Sequence, residues 1–459
     1  MQTNQIIRKG LAVGIILLFV GTCIIPAIAQ DTEKPLPTSR GNWLYVGGSG
    51  PGNYTKIQDA IDYAQPGDTV FVYDDSSPYL ESLRVRKSIH LIGENKTTTI
   101  INSSHQYTIG SFDYDNILIE NFTLLNCMNY TDTYGVDLSF AKNFTLTNTI
   151  IIGCHWGIQL EDCDNCSITN NEIREGYTGI KLYNVDTSTL SGNQIKDNIY
   201  GIELNYASTN TISNNELINN GMYLVNLAYP NSIVGNTVNG KALLYLENEN
   251  DILIENESAG QIILIGCNRI TMQNLDLSHA SIGVMFIKTD NCSLTKTIIR
   301  FNFIGVWLLY SNRNTLSYNY IDNNSYGISF EPYTYNTQNS IIENSIQSNS
   351  GVGIGLNGVL NIIKNNLIKN NSLGIFIYSG VLNLIQSNNI IKNKLNALFQ
   401  NSIGTVFFGN YWEPNFGFRP KIIPGIQFAV IGLYIPIFFP WLKIDWFAKR
   451  LPNRTFEVR

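Results

Sequence analysis

A glycine recurs every 22 residues along the middle of this chain, and that beat constrains its fold more than any other feature. Gly135, Gly157, Gly179 and Gly201 each open a tetrad of glycine, apolar, variable and apolar residues (GVDL, GIQL, GIKL, GIEL). The beat returns at Gly283, Gly305 and Gly327 (GVMF, GVWL, GISF), then at Gly353 and Gly374 after steps of 26 and 21. An asparagine column keeps step through Asn171, Asn193 and Asn215, and again through Asn319, Asn344, Asn366, Asn389 and Asn410. A fixed period in this range marks stacked supersecondary units, each too small to close a core alone.

Within one unit, short runs such as GIQLED, CSITNNEI and TLSGNQI alternate Ile, Leu or Val with Asn, Thr or Ser. That is the pattern of strands with one buried face, and no part of the unit has helical periodicity. If each unit makes one turn, equivalent residues stack about 4.8 Å apart and each coil supports only its neighbours. The expected fold is therefore all-β, a right-handed parallel β-helix of about 22-residue coils. Roughly fifteen coils fit between Thr69 and Trp412, giving a rod about 70 Å long at strand spacing. Glycine opens the tetrads where positive φ or close approach of the next coil is needed. The asparagines read as a structural ladder whose amides bond from coil to coil rather than as ligands.

The ends depart from the repeat. Arg8 and Lys9, an apolar run from Leu11 and a closing Ala27-Ile28-Ala29 read as a secretory signal over residues 1–29. Residues 30–68 then form a linker and an N-terminal capping helix, Ile57 to Ala64, stopped by Pro66-Gly67. A helix there covers the open end of a β-helix, which otherwise offers unpaired backbone groups. The β-helix occupies residues 69–412, and an apolar, basic tail occupies 413–459. Within the tail, Ile422 to Leu442 carries no charge and is followed by Lys443, Lys449, Arg450 and Arg454, a membrane-anchor pattern. Pro424, Pro436 and Pro440 argue against a helix there, so a closing cap is the other reading. Residues 30–412 carry 21 basic and 33 acidic side chains, net −12. Such a body excludes nucleic acid as a partner, which would need a basic face. Twelve Asn-x-Ser/Thr sequons, Asn53, Asn95, Asn121, Asn143 and Asn291 among them, suit a glycosylated protein secreted to the cell surface or the periplasm.

The stretch from Ile57 to Val72, followed by LIGEN and TTIINSS, resembles the capping segment and first coil of the pectin-lyase-like superfamily. The downstream GI-x-L and I-x-x-N-x-I repeats resemble NosD-like β-helix repeat proteins, a family named for a periplasmic copper-binding maturation factor of nitrous-oxide reductase. The resemblance spans about residues 43 to 412. It implies the fold, and it raises two activities, cleavage or epimerisation of acidic polysaccharides and delivery of copper. The signatures of polygalacturonase-like enzymes, pectate lyases and alginate epimerases are incomplete here. A lone Arg419-Pro420-Lys421 lies beyond the repeats, and the densest acidic spot, Glu161-Asp162-Cys163-Asp164, reads as a solvated turn, with a calcium site as its alternative. No catalytic residue is assigned.

Two sets of residues remain as candidates. The outward column of the tetrads holds Gln159, Lys181 and Glu203 in the first half, with Lys181 and Glu203 forming an exposed pair. In the second half it turns apolar. Alternation places Val306 and Leu308 inside and Trp307 outside, with Tyr310, Tyr333, Phe376 and Tyr378 nearby as a surface for saccharide or protein. The second set comes from the segments Asn121 to Met128 and Asn148 to His155, whose matched offsets stack Cys127 on Cys154 and Met128 on His155. Cys127 and Cys154 are thus a disulfide candidate, and the four residues are the only copper-ligand constellation. Alternation sends the two pairs to opposite faces. Cys163-x-x-Cys166 has no matching second pair and is weak as a zinc motif. The reading that results is an exported, non-catalytic binding or structural module, whose partner is a surface polysaccharide or an envelope protein. A carbohydrate-active enzyme and a NosD-like copper maturation factor stay open as alternatives.

Overall fold

The computed structural model describes residues 41–126, 132–226, 228–256, 259–332, 334–413, 421–431, 435–445, 447–449 and 452. Strands of three to seven residues recur throughout, with a single helix among the described residues, Ile57–Tyr63. Each strand pairs in parallel with the strand one coil away, as in Ile158↔Ile180 and Ile180↔Ile202. The chain is a parallel β-helix. Ile158, Ile180 and Ile202 are fully buried, as are Leu160, Leu182 and Leu204, so the apolar positions of the tetrads form the interior.

The glycine column owes nothing to positive φ. A Cβ on Gly157 would meet the carbonyl oxygen of Gly179 at 2.5 Å, and one on Gly305 would meet that of Gly327 at 2.5 Å. Only glycine allows the coils to approach that closely. Positive φ falls instead on the residue before each ladder asparagine, at Asn170, Gly192, Asn214 and Ser387. The ladder residue itself points inward. The Asn171 amide nitrogen donates to Asn193 Oδ1 (3.1 Å) and that of Asn193 to Asn215 Oδ1 (2.9 Å). In the second half the rungs run Asn319, Asn344, Asn366, Asn388 and Asn410. Asn389, expected on this ladder, lies instead in the strand Asn389–Ile391 beside Leu367 and Tyr411. Parallel ladders run at the other corners, through Ser188, Asn210 and Asn231 and through Asn302, Asn324, Asn349 and Asn371.

The helix lies within the first coil, because Trp43–Val46 already pairs in parallel with Thr69–Val72. Its Ile57, Ala60 and Ile61 are buried in the same cluster as Val46, Val70 and Val72. Glu81 caps it, accepting the backbone N–H groups of Ile57 (2.9 Å) and Gln58 (3.0 Å).

The coils do not form one continuous rod, as a uniform repeat would. After Thr237–Val238 the chain makes an antiparallel hairpin onto Lys241–Glu247, with Val238 opposite Lys241. Its two turn residues, Asn239 (φ 52°) and Gly240 (φ 75°), are a type I′ pair. From there a second solenoid begins. The outer face of its first strands lies across the end of the first solenoid. Ile263, Ile265, Met285, Ile287, Trp307 and Leu309 belong to the core cluster of the first half, whereas Ile262, Val284, Phe286, Val306 and Leu308 line a separate second core. The last strand of the first half's tetrad sheet, Met222–Val225, would present an unpaired edge there. Gln261 covers it, accepting from the Met222 N–H (2.8 Å) and donating to the Met222 carbonyl (2.7 Å). The Ser281 hydroxyl accepts from the Gly221 N–H (2.7 Å). Gln261 is fully buried and stands opposite the glycine position of the next tetrad, since Ile262 pairs with Val284.

The tail forms two antiparallel strands, Lys421–Ile431 and Ile435–Asp445, paired from Lys421↔Asp445 to Ile431↔Ile435. Gly425 pairs with Phe399 and Asp445 with Phe407, so the hairpin extends two sheets of the second solenoid. No helix among the described residues is long and apolar enough to cross a membrane. Asp445 is fully buried and takes the next rung of the asparagine ladder. Its carboxylate accepts the N–H groups of Gly409 (3.0 Å) and Asn410 (3.0 Å), the Asn410 amide (2.9 Å) and Trp412 Nε1 (3.1 Å).

Candidate functional site

The tetrad sheet of the first solenoid presents its outward side chains in columns. One holds Tyr134, Trp156, Thr178 and Tyr200, and the next holds Asp137, Gln159, Lys181, Glu203 and Tyr223. The rings make a nearly continuous run. Tyr134 stacks on Trp156 (centroids 4.7 Å apart), His155 on Tyr177 (4.8 Å) and Tyr200 on Tyr223 (4.7 Å), with Tyr177 edge-on to Tyr200 (5.7 Å). The run crosses to the second solenoid, where Tyr200 meets Phe303 (5.5 Å) and Phe303 meets Tyr326 (5.7 Å). Offset and edge-to-face pairs of this kind hold rings in fixed orientations.

Charged groups are set among these rings. Lys181 Nζ sits 5.1 Å from the centre of the Trp156 ring, a cation–π arrangement. Burial, reinforced by the Glu161 charge, pushes the Asp137 carboxyl up to about 6. Asp137 Oδ1 is buried and has no hydrogen-bond partner. Burial also raises Glu203, an effect opposed by Lys181 and by the Thr178 hydroxyl, which donates to Glu203 Oε2 (3.4 Å). The Lys181–Glu203 column, expected to be exposed, is half-buried. Tyr134 is pushed up to about 12, chiefly by burial, and burial lowers His155. The face thus combines flat apolar rings with a lysine and with two carboxyls that burial raises above their ordinary range.

The surface expected around Trp307 is not assembled as the alternation suggested. Trp307 does point out of its own sheet, but it is 1% exposed because it faces the first solenoid. Its ring lies 5.3 Å from Tyr223, and its Nε1 donates to Glu331 Oε2 (3.0 Å). Tyr310 is 46% exposed at the junction of the two solenoids. Phe376 and Tyr378 are half-buried on a later coil, with ring centres 6.4 Å apart. Tyr333 lies outside the described residues, as do Cys127 and Met128, and with them the proposed disulfide.

Cys154 is buried, its thiol directed at the Ile152 carbonyl (3.7 Å), while His155 is on the outer face against Tyr177. A soft-metal site needs its ligands to converge, and these two do not. Among the described residues, no group of three or more His, Cys, Asp or Glu side chains is placed to hold a metal ion. The other cysteines do ladder work. The Ile270 N–H donates to Cys292 Sγ (3.1 Å), at a corner position that Asn314 fills in the next coil, and the Ala141 N–H donates to Cys163 Sγ (3.5 Å), at a corner that Ala141 and Val185 fill in the neighbouring coils. In the acidic turn, Asp162 accepts the Asn184 side-chain amide.

Sequence reasoning passed over Tyr134, Trp156 and Tyr200. Their signal was present: each stands one residue before a tetrad glycine, on the 22-residue beat.

A family model described as periplasmic copper-binding protein (NosD) matches residues 61–229 and 229–417. No curated protein matches the chain. Among solved structures, the A-module of the mannuronan C-5 epimerase AlgE6 of Azotobacter vinelandii is 15% identical, with 76% of this chain and 94% of that one covered at a TM-score of 0.25. Pectin methylesterase PemA from Erwinia chrysanthemi is 12% identical, covering 53% and 80%, with a TM-score of 0.30. A DFA-IIIase from Arthrobacter chlorophenolicus A6 is 10% identical, covering 80% and 94%, with a TM-score of 0.30.

Proposed function

The chain belongs to the NosD family, and from that premise we propose that it is an exported, non-catalytic binding module of the cell envelope whose ligand is a saccharide. The observation that carries the reading is the outward face of the first solenoid. There Tyr134 and Trp156 stack at 4.7 Å beside Asp137, whose buried Oδ1 has no partner. Sugar rings offer an apolar face to stack on aromatic rings, and their hydroxyls supply the donors a bare carboxylate lacks. Export is supported by the signal-like residues 1–29. Copper carriage is the less supported reading, because Cys154 and His155 diverge.

The test is titration calorimetry of the full chain against a panel of neutral and acidic oligosaccharides, with Trp156→Ala and Asp137→Asn as variants. At least one oligosaccharide should bind, and Trp156→Ala should weaken it by about tenfold, in keeping with one lost stacking contact. An affinity untouched by either substitution, or a panel without a single binder, would remove this face from consideration. Release of new reducing ends or unsaturated uronides from a polysaccharide would refute the non-catalytic part.

A further inference from the structure

We propose that the pocket where the two solenoids meet is a second binding site, and that it takes one anionic sugar residue of a polysaccharide chain. The pocket is about 580 Å³ and is lined by Tyr206, Asn226 and Tyr229 from the first solenoid and by Lys288, Tyr310 and Glu331 from the second. That volume suits a small ligand or a single residue of a longer one. Its lining is drawn from both solenoids, so neither half contains it alone.

Four features specify the occupant. Tyr206 and Tyr310 are 47% and 46% exposed, so both offer open ring surface. The Tyr229 hydroxyl is buried and lacks a hydrogen-bond partner, an arrangement that costs free energy unless something supplies one. Lys288 Nζ is held 5.3 Å from the centre of the Tyr229 ring, and the ion pairs among the described residues do not include it. Glu331 is anchored by the Trp307 indole (3.0 Å), and burial holds its carboxyl above the usual range.

These features complement a pyranose ring bearing one negative group. The ring stacks on the tyrosines, and the anion pairs with Lys288. The ring hydroxyls bond to the Tyr229 hydroxyl, Glu331 and the Asn226 amide. A neutral sugar would press on Lys288 without giving it a counter-charge, and displacing water from an ammonium without replacing it is unfavourable. A carboxylate and a sulfate provide the same charge, so both belong to the proposed class. The site is separate from the Trp156 face, and each can fail without the other.

The experiment uses full-length protein carrying Trp156→Ala, which disables the first face, and titrates it calorimetrically with hexagalacturonate, a sulfated hexasaccharide and neutral maltohexaose. At least one of the two anionic probes should bind, and which one does identifies the group. Adding K288Q should weaken that binding by about tenfold and flatten its salt dependence. Tyr310→Ala and, independently, Tyr206→Ser should weaken it by a similar factor through lost stacking. Circular dichroism melting of each variant confirms that it is folded, and any two folded variants of the three suffice for the comparison. The proposal is overturned if neither anionic probe binds, if maltohexaose binds as tightly as the anions, or if the folded variants retain the parent affinity.

Discussion

Replacing Trp307 by alanine separates a surface residue from a structural one, because the two readings differ by several kcal/mol. The side chain is 1% exposed, wedged against Tyr223 at the contact between the solenoids, and it carries the indole hydrogen bond that anchors Glu331. Truncating a buried tryptophan costs about 3–5 kcal/mol when the cavity cannot collapse, and stacked strands on both sides resist collapse. Loss of the Glu331 partner adds about 1 kcal/mol for a half-buried carboxyl. The expected loss is therefore about 4–6 kcal/mol. Because solenoid coils depend mainly on their neighbours, the loss should appear as uncoupling: guanidinium unfolding followed by circular dichroism should separate into two transitions, one per solenoid. Trp307→Phe keeps the ring and should lose about 1–2 kcal/mol. Trp43→Ala, at a position 51% exposed, should fall within about 1 kcal/mol of the parent. A Trp307→Ala protein that unfolds in one transition, within about 1 kcal/mol of the parent, would show that the two solenoids do not rest on each other as described.

Asn366→Ala removes the acceptor of the Asn344 N–H (2.9 Å) and side-chain amide (3.0 Å) and the donor to the Ile341 carbonyl (2.8 Å). It should cost about 2–4 kcal/mol, read by urea denaturation, and a loss below about 1 kcal/mol would deny the ladder its stabilising role. Asp445→Ala strips five donors of their common acceptor, so limited proteolysis should cut the tail hairpin much faster. Asp445→Asn retains an acceptor oxygen and should be cut at an intermediate rate; equal rates for both variants and the parent would contradict this. Asp137 has a folded-state pKa raised from 3.8 to about 6, so the folded state binds the proton more tightly than the unfolded one. Its contribution to stability is complete below 3.8 and is lost as pH rises towards about 6. Comparing melting temperatures from below the lower value to above the higher one, Asp137→Asn should lack this component, and identical profiles for variant and parent would mean that Asp137 is solvated.

The periodic part of this protein was legible from residues alone. The 22-residue beat specified a parallel β-helix because each coil touches only its neighbours, so a repeated local pattern is also the repeated contact. Gly157 and Gly179 mark the close approach of backbones, and Asn171, Asn193 and Asn215 bond to one another across the same interval. Where two asparagines are adjacent, as at Asn388-Asn389, composition does not say which points inward, and the strand register selected Asn388. What did not repeat was decided by tertiary structure. The beat breaks between Gly201 and Gly283, and the Asn239-Gly240 turn within the break was a legible hairpin signal, but where it would send the second solenoid was not. That placement buried Trp307, converted Gln261 into the cover of a strand edge, and brought Tyr206 and Tyr229 to Lys288 and Tyr310. Alternation along a strand states which face a side chain takes. Whether that face meets water or another coil depends on contacts between segments far apart in the chain, and no local pattern encodes those.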